Sequence, residues 1–237
     1  MDKVSAAAIS SNERKVPCLG GTILEATLQR PSQCRALILV AHGSGSGRFS
    51  TRNRAVAARL QQSGMATLLI DLLTPAESRE DGRDGTLSCA IPLLGQRLAA
   101  CIDWAATQPE LQGLPLGLFG SSTGAAAAIT AAVLRPRSVG AVVSRGGRPD
   151  LAPAALPLLR CPLLLIVGER DREVLRCNQR AALALRAPHR LVPIPGAGHL
   201  FEERGALQAV AELAADWFAA HLDPPAGIGT SHFHIRE

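Results

Sequence analysis

The run Leu114-Pro-Leu-Gly-Leu-Phe-Gly-Ser-Ser-Thr-Gly-Ala-Ala-Ala-Ala-Ile-Thr-Ala-Ala-Val-Leu134 constrains this chain more than any other. It opens as a short apolar stretch, breaks at Gly120-Ser121-Ser122-Thr123-Gly124 and continues as an alanine-rich segment, so it predicts a strand, a sharp turn and a helix. Small residues two before and two after Ser122 suit a turn where strand and helix backbones nearly touch. The apex residue is then held in a strained conformation with its side chain projecting from the sheet. G-x-S-x-G occurs by chance in many loops, and the flanking strand and helix are what give it chemical meaning. Ser122 is therefore the candidate nucleophile, with the free N–H groups and dipole of the following helix beneath it.

The rest of the chain alternates strand and helix around that turn. Thr22–Leu28 mixes apolar and polar positions as an edge strand would, and Pro31 ends it. Ala36–Ala41, Ala66–Ile70, Val139–Ser144 and Pro162–Val167 are continuous apolar runs, the pattern of strands buried on both faces of a parallel sheet. A further strand is expected around 190–194. Helical spacing occupies about 52–62, 91–105, 173–186 and 202–222. A chain of 237 residues fits one such domain. The expectation is a single α/β domain over 1–237, with a core of about 20–222, a loose polar lead-in over 1–15, and a tail over 223–237. Residues 74–90 read as a long polar loop, which in a compact domain is disordered or functional.

The loop His42-Gly43-Ser44-Gly45-Ser46-Gly47 follows a central strand. It is no P-loop, because that motif requires a lysine, and its glycine spacing does not fit a dinucleotide fingerprint. Its exposed backbone N–H groups are suited to a reacting oxygen, with Ser44 as the candidate donor.

A serine hydroxyl needs a base, and the base needs an orienting carboxylate. Ser122, Asp171 and His199 occur in the chain order expected of such a triad, each at the carboxyl end of an expected strand or just beyond it. His42 in the glycine loop, His189 before the last strand and His221 at a helix end read as structural. Asp71 and Asp150 compete with Asp171, which could equally cap the helix after it. Arg145 and Arg148 leave a strand on the same edge and are candidates to pair with a substrate carboxylate or phosphate.

At His42-Gly43-Ser44, Gly120-x-Ser122-x-Gly124, Gly168-x-x-Asp171 and Gly198-His199-x-Phe201 the span 20–222 resembles the α/β-hydrolase fold and, within it, the dienelactone-hydrolase-like group. The resemblance implies a mostly parallel central sheet with helices on both faces and a Ser122 nucleophile. It also implies His199 as base and then acid, Asp171 as orienter, and the Thr123 and Ser44 backbone N–H groups as oxyanion hole. True dienelactone hydrolases carry cysteine where this chain has Ser122, so the lactone substrate does not carry over. About fourteen residues separate Gly147 from the strand at Pro162, too few for a helical cap, and an open site for a small acyl compound follows.

The expected reaction is cleavage of a small ester, lactone or thioester through an acyl-enzyme. The alternatives are acyl transfer on the same triad or a non-catalytic binding protein on the same fold. The net charge of +5 is carried almost wholly by arginine and is interspersed with acids. Aromatic residues are 3%, so nothing resembles a nucleic-acid platform. No apolar run is long enough to span a membrane, and the amino terminus makes a poor signal peptide, so a cytoplasmic location is the default. Cys18, Cys34, Cys89, Cys101, Cys161 and Cys177 lack metal or disulfide spacing and are expected to be reduced and mostly buried. His232-x-His234 reads as a tail feature. The expected partner is a small acyl substrate, anionic if the two arginines bind it, with no cofactor or metal, acting on a monomer or homodimer.

Overall fold

The computed structural model describes residues 9–222. Eight strands form one sheet: β1 (Ile9–Pro17), β2 (Ile23–Pro31), β3 (Ala36–Ala41), β4 (Met65–Ile70), β5 (Leu116–Ser121), β6 (Val139–Arg145), β7 (Leu163–Gly168) and β8 (His189–Ile194). The spatial order is β1-β2-β4-β3-β5-β6-β7-β8, parallel from β4 to β8, with β2 antiparallel to β4 and β1 antiparallel to β2. Every residue of β3, β4, β5 and β7 is buried, which is why these strands read as unbroken apolar runs.

Side chains alternate across the sheet, so strands β3 to β8 feed two separate cores, while β1 and β2 supply only the first. Leu39, Leu68, Leu118 and Leu165 pack against α3 (Ile91–Thr107) and α4 (Thr123–Leu134). Ile38, Phe119, Val143 and Ile166 pack against α1 (Thr51–Gln62) and α6 (Ala206–Leu222). α5 (Arg172–Ala184) contributes Ala181 to the first core. Between β6 and β7 there are only two 3₁₀ turns, Pro149–Leu151 and Leu156–Leu158, and no cap.

Two expectations are corrected. The part of the lead-in over 1–15 that falls in the described residues, 9–15, is all strand: β1 pairs with β2 along nine residues, from Ile9 opposite Pro31 to Pro17 opposite Ile23. Its pairing is backbone hydrogen bonding at a solvated edge, which leaves no apolar alternation to read. The long polar loop is largely helix: α2 spans Pro75–Asp84, and a 3₁₀ turn follows at Leu87–Cys89. Thr74 and Glu77 form a capping box, Pro75 opens the helix, and Gly85 closes it at φ 70°. The α2 surface is anchored on α3, where Arg97 donates to both carboxylate oxygens of Glu77 at 2.8 and 2.6 Å and to Leu72 O at 2.9 Å.

All six cysteines are free thiols, but only Cys101 and Cys161 are buried; Cys18, Cys34 and Cys177 are half-buried and Cys89 is exposed. No cluster of three or more histidine, cysteine or acidic side chains able to hold a metal occurs among the described residues. No helix among them is long and apolar enough to cross a membrane. Residues 1–8 of the lead-in and the His232-x-His234 tail lie outside the described residues.

Candidate active site

Ser122 sits between β5 and α4 at φ 51°, ψ −122°, one of two non-glycine residues with positive φ among those described. The elbow glycines are required by contact. A Cβ on Gly120 would lie 2.5 Å from Ala125 Cα, and one on Gly124 would lie 2.3 Å from His42 O. With no Cβ at either position, β5, α4 and the end of β3 close around the apex, and Ser122 N–H donates to Arg145 O at 3.2 Å.

The loop after β3 comes equally near, since a Cβ on Gly43 would be 2.8 Å from Ser122 Cβ and 3.5 Å from Ser122 Oγ. Ser44 N–H donates to Thr123 Oγ1 at 3.1 Å, so the two expected oxyanion residues touch each other. Thr123 is the first residue of α4, where a backbone N–H has no intrahelical acceptor. His42 holds the loop from behind: Leu72 N–H donates to His42 Nε2 at 3.0 Å, which leaves Nδ1 to donate to Gly43 O at 2.9 Å. Burial depresses its pKa and keeps this ring neutral.

His199 arrives from the turn after β8. Gly168 makes the approach feasible, because a Cβ there would lie 2.4 Å from Gly198 O. The ring lies over Gly146, whose hypothetical Cβ would be 3.6 Å from His199 Cε1. Asp171 Oδ2 lies 2.5 Å from His199 Nδ1. Among the described residues the Ser122 hydroxyl makes no hydrogen bond, so the carboxylate and imidazole are joined to each other and Ser122 to neither.

The rival residues are engaged elsewhere. His189 Nδ1 bonds Ala187 O and His221 Nδ1 bonds Trp217 O. Asp71 accepts from the backbone and side chain of Arg48, which also pairs with Glu25. Asp150 accepts from Arg148 Nε and Nη2 at 2.9 and 2.8 Å, and this fork raises the Arg148 pKa. Arg148 is thus held within the chain. Arg145 is not: it is 8% exposed, its Nη1 is buried without a partner, and burial followed by repulsion from Arg52 lowers its pKa to about 10.

A cavity of about 580 Å³ opens beside the glycine loop, walled by His42, Ser44, Ser46 and Leu73 on one side and Ser78, Asp81 and Ser88 on the other. Ser44 and Ser88 share a hydroxyl hydrogen bond of 2.6 Å, and Ser88 N–H donates to Asp81 Oδ1 at 2.8 Å. Residues 74–90 therefore line this cavity and brace the glycine loop. Neither Ser88 nor Asp81 stands out in the sequence, because Asp81 lies among other acids and Ser88 belongs to no motif.

A family model described as an alpha/beta hydrolase domain matches residues 34–220. The crystal structure of a dienelactone hydrolase from Anabaena variabilis is 50% identical with a TM-score of 0.87, covering 90% of this chain and 99% of that one. A dienelactone hydrolase-like promiscuous phosphotriesterase from metagenomic libraries is 18% identical with a TM-score of 0.74, covering 92% and 100%, a likeness of fold alone. A Mycobacterium tuberculosis protein whose name suggests a phosphoribosyl transferase is 51% identical over 199 residues, which is 84% of this chain but only 44% of that relative.

Proposed function

Because this chain belongs to the alpha/beta hydrolase family, in its dienelactone-hydrolase-like group, we propose that it is a hydrolase that cleaves a small ester, lactone or thioester through a covalent acyl-serine on Ser122. The observation that carries the reading is the 2.5 Å contact between Asp171 Oδ2 and His199 Nδ1 at the rim where the strained Ser122 emerges. A proton on Nδ1 held by that carboxylate leaves Nε2 free to act as a base.

In the proposed sequence, His199 Nε2 takes the Ser122 proton as Oγ attacks the carbonyl carbon. The hydroxyl reaches the ring by rotating from its unbonded resting position, a tightening common once substrate is bound. The tetrahedral oxyanion is stabilised by the Thr123 and Ser44 N–H groups, and Ser44 exchanges its Thr123 Oγ1 acceptor for the substrate oxygen. Collapse expels the alcohol, or thiol, with the proton from His199. Water, deprotonated by the same ring, then attacks the acyl carbon and releases the acid and the free serine. The phosphoribosyl transferase name belongs to a chain of which this one spans 44%, and a hydroxyl, imidazole and carboxylate are the groups of acyl chemistry.

The test is a panel of p-nitrophenyl esters and lactones with wild type and S122A, together with fluorophosphonate labelling. Turnover and label lost together in S122A support the proposal. Equal rates in both proteins with no label on Ser122 refute it.

A further inference from the structure

The chain has a consistent way of handling inward-lying arginines. Arg97 finds Glu77, Arg48 finds Asp71 and Glu25, and Arg148 finds Asp150. Arg145 is the exception. It ends β6 on the face that presents Ala141 and Val143 to α1 and α6, it is 8% exposed, and among the described residues its guanidinium makes no hydrogen bond and no ion pair. A guanidinium so far from water with no counter-charge is a costly arrangement. Its pKa remains well above neutrality, so the charge persists.

Arg52, in the first turn of α1, compounds the cost by lying near enough to repel it. Arg52 also has a buried Nε without a partner, and its Nη1 reaches Glu202 only at 3.4 Å. That first turn carries no acidic residue to offset the helix dipole. Two neighbouring guanidiniums with unmet donors are satisfied together by an oxyanion, which accepts from both and cancels the repulsion. The backbone of Arg145 adjoins the nucleophile, since Arg145 O accepts the Ser122 N–H and the next residue, Gly146, lies under the His199 ring.

We infer that Arg145 and Arg52 form a binding site for a small oxyanion, the carboxylate or phosphate group of a substrate or a free ion, at the rim beside Ser122. Arg148, engaged by Asp150, takes no part. The site stands independently of the acyl-enzyme reading; only its substrate-borne form adds to that reading.

Thermal unfolding of the whole chain with millimolar phosphate, against sodium chloride at matched ionic strength, tests it. Phosphate raises the Tm of wild type and of S122A, R145Q and R52Q lose that rise, and R145K, which keeps the charge, retains part of it. A wild-type response no larger than chloride gives, or an undiminished response in R145Q and R52Q, overturns the inference. R52Q alters a partly exposed side chain and serves if R145Q does not fold. The source of the anion is read from the ratio of kcat/KM for p-nitrophenyl hemisuccinate to that for the butyrate ester. A substrate-borne group makes the wild-type ratio at least about tenfold higher than that of R145Q, the worth of one charged hydrogen bond, with phosphate competitive. Equal ratios alongside a lost phosphate response identify a free ion. If instead S122A matches wild type in turnover, the acyl-enzyme reading fails while the Tm response still decides the anion site.

Discussion

Asp171 occupies the N-cap position of α5, yet its side chain makes no capping bond and turns to His199, Oδ2 lying 2.5 Å from Nδ1. An N-cap aspartate ordinarily accepts from its own helix. Here that bond is forgone for one that fixes a ring tautomer. Replacing Asp171 with Asn keeps the size and a cap-compatible residue but offers an amide where the ring needs an acceptor. We expect D171N to lower kcat by about 10²–10⁴-fold while moving the melting temperature little. Ester turnover and circular dichroism melts check both halves, and an active D171N would remove the aspartate from the mechanism.

Ser122 is held at φ 51°, where a side chain costs of the order of 1–2 kcal/mol. Glycine takes that conformation without the penalty. S122G is therefore expected to be inactive and at least as stable as wild type, with a melting temperature higher by about 2–4 °C per kcal/mol relieved. A clear loss of stability would mean that the elbow is not strained in solution.

Gly124 faces backbone, and backbone cannot yield as a flexible side chain would. An added Cβ would approach His42 O to 2.3 Å and Ala41 O to 2.7 Å. We expect G124A to lose about 3 kcal/mol, read as a lower urea midpoint, and to lose activity by displacing β3 and its glycine loop from α4. G82A is the control, because a Cβ on Gly82 meets nothing within 4 Å.

The parts of this architecture that local pattern carries were legible before any coordinates. Four strands buried along their whole length leave continuous apolar runs, and the elbow needs glycines at fixed offsets from Ser122. Asp171 and His199 follow strands at the same sheet edge. β1 escaped because it is held by its ladder to β2 and shows no apolar alternation. α2 escaped because its interior is acidic and basic. Its one local signal, Thr74-Pro75-x-Glu77, is a capping box, and its anchor at Arg97 lies twenty residues further on. Arg145 and Arg148 show the limit most sharply. They are the same residue type three positions apart, and only folding sets one on Asp150 and leaves the other with no partner among the described residues.

The Glu77–Arg97 pair yields a pH-dependent prediction. Two hydrogen bonds from Arg97, opposed next in size by burial and then aided by the backbone and hydroxyl of Thr74, hold the Glu77 carboxyl at about 2, below its ordinary 4.5. The folded value is the lower one, so the pair's contribution is fully present above pH 4.5 and disappears as pH falls through about 2. Glu77→Gln isolates this charge, because glutamine also completes a capping box with Thr74. Arg97, itself 6% exposed, would keep Leu72 O but lose its counter-ion. We expect E77Q to be about 2 kcal/mol less stable than wild type at neutral pH. The gap should narrow on acidification as the wild-type carboxyl protonates, and should close near pH 2. Urea midpoints for both proteins across that range measure it. A gap that stayed constant with pH would show that Glu77 acts through packing or capping and not through its charge.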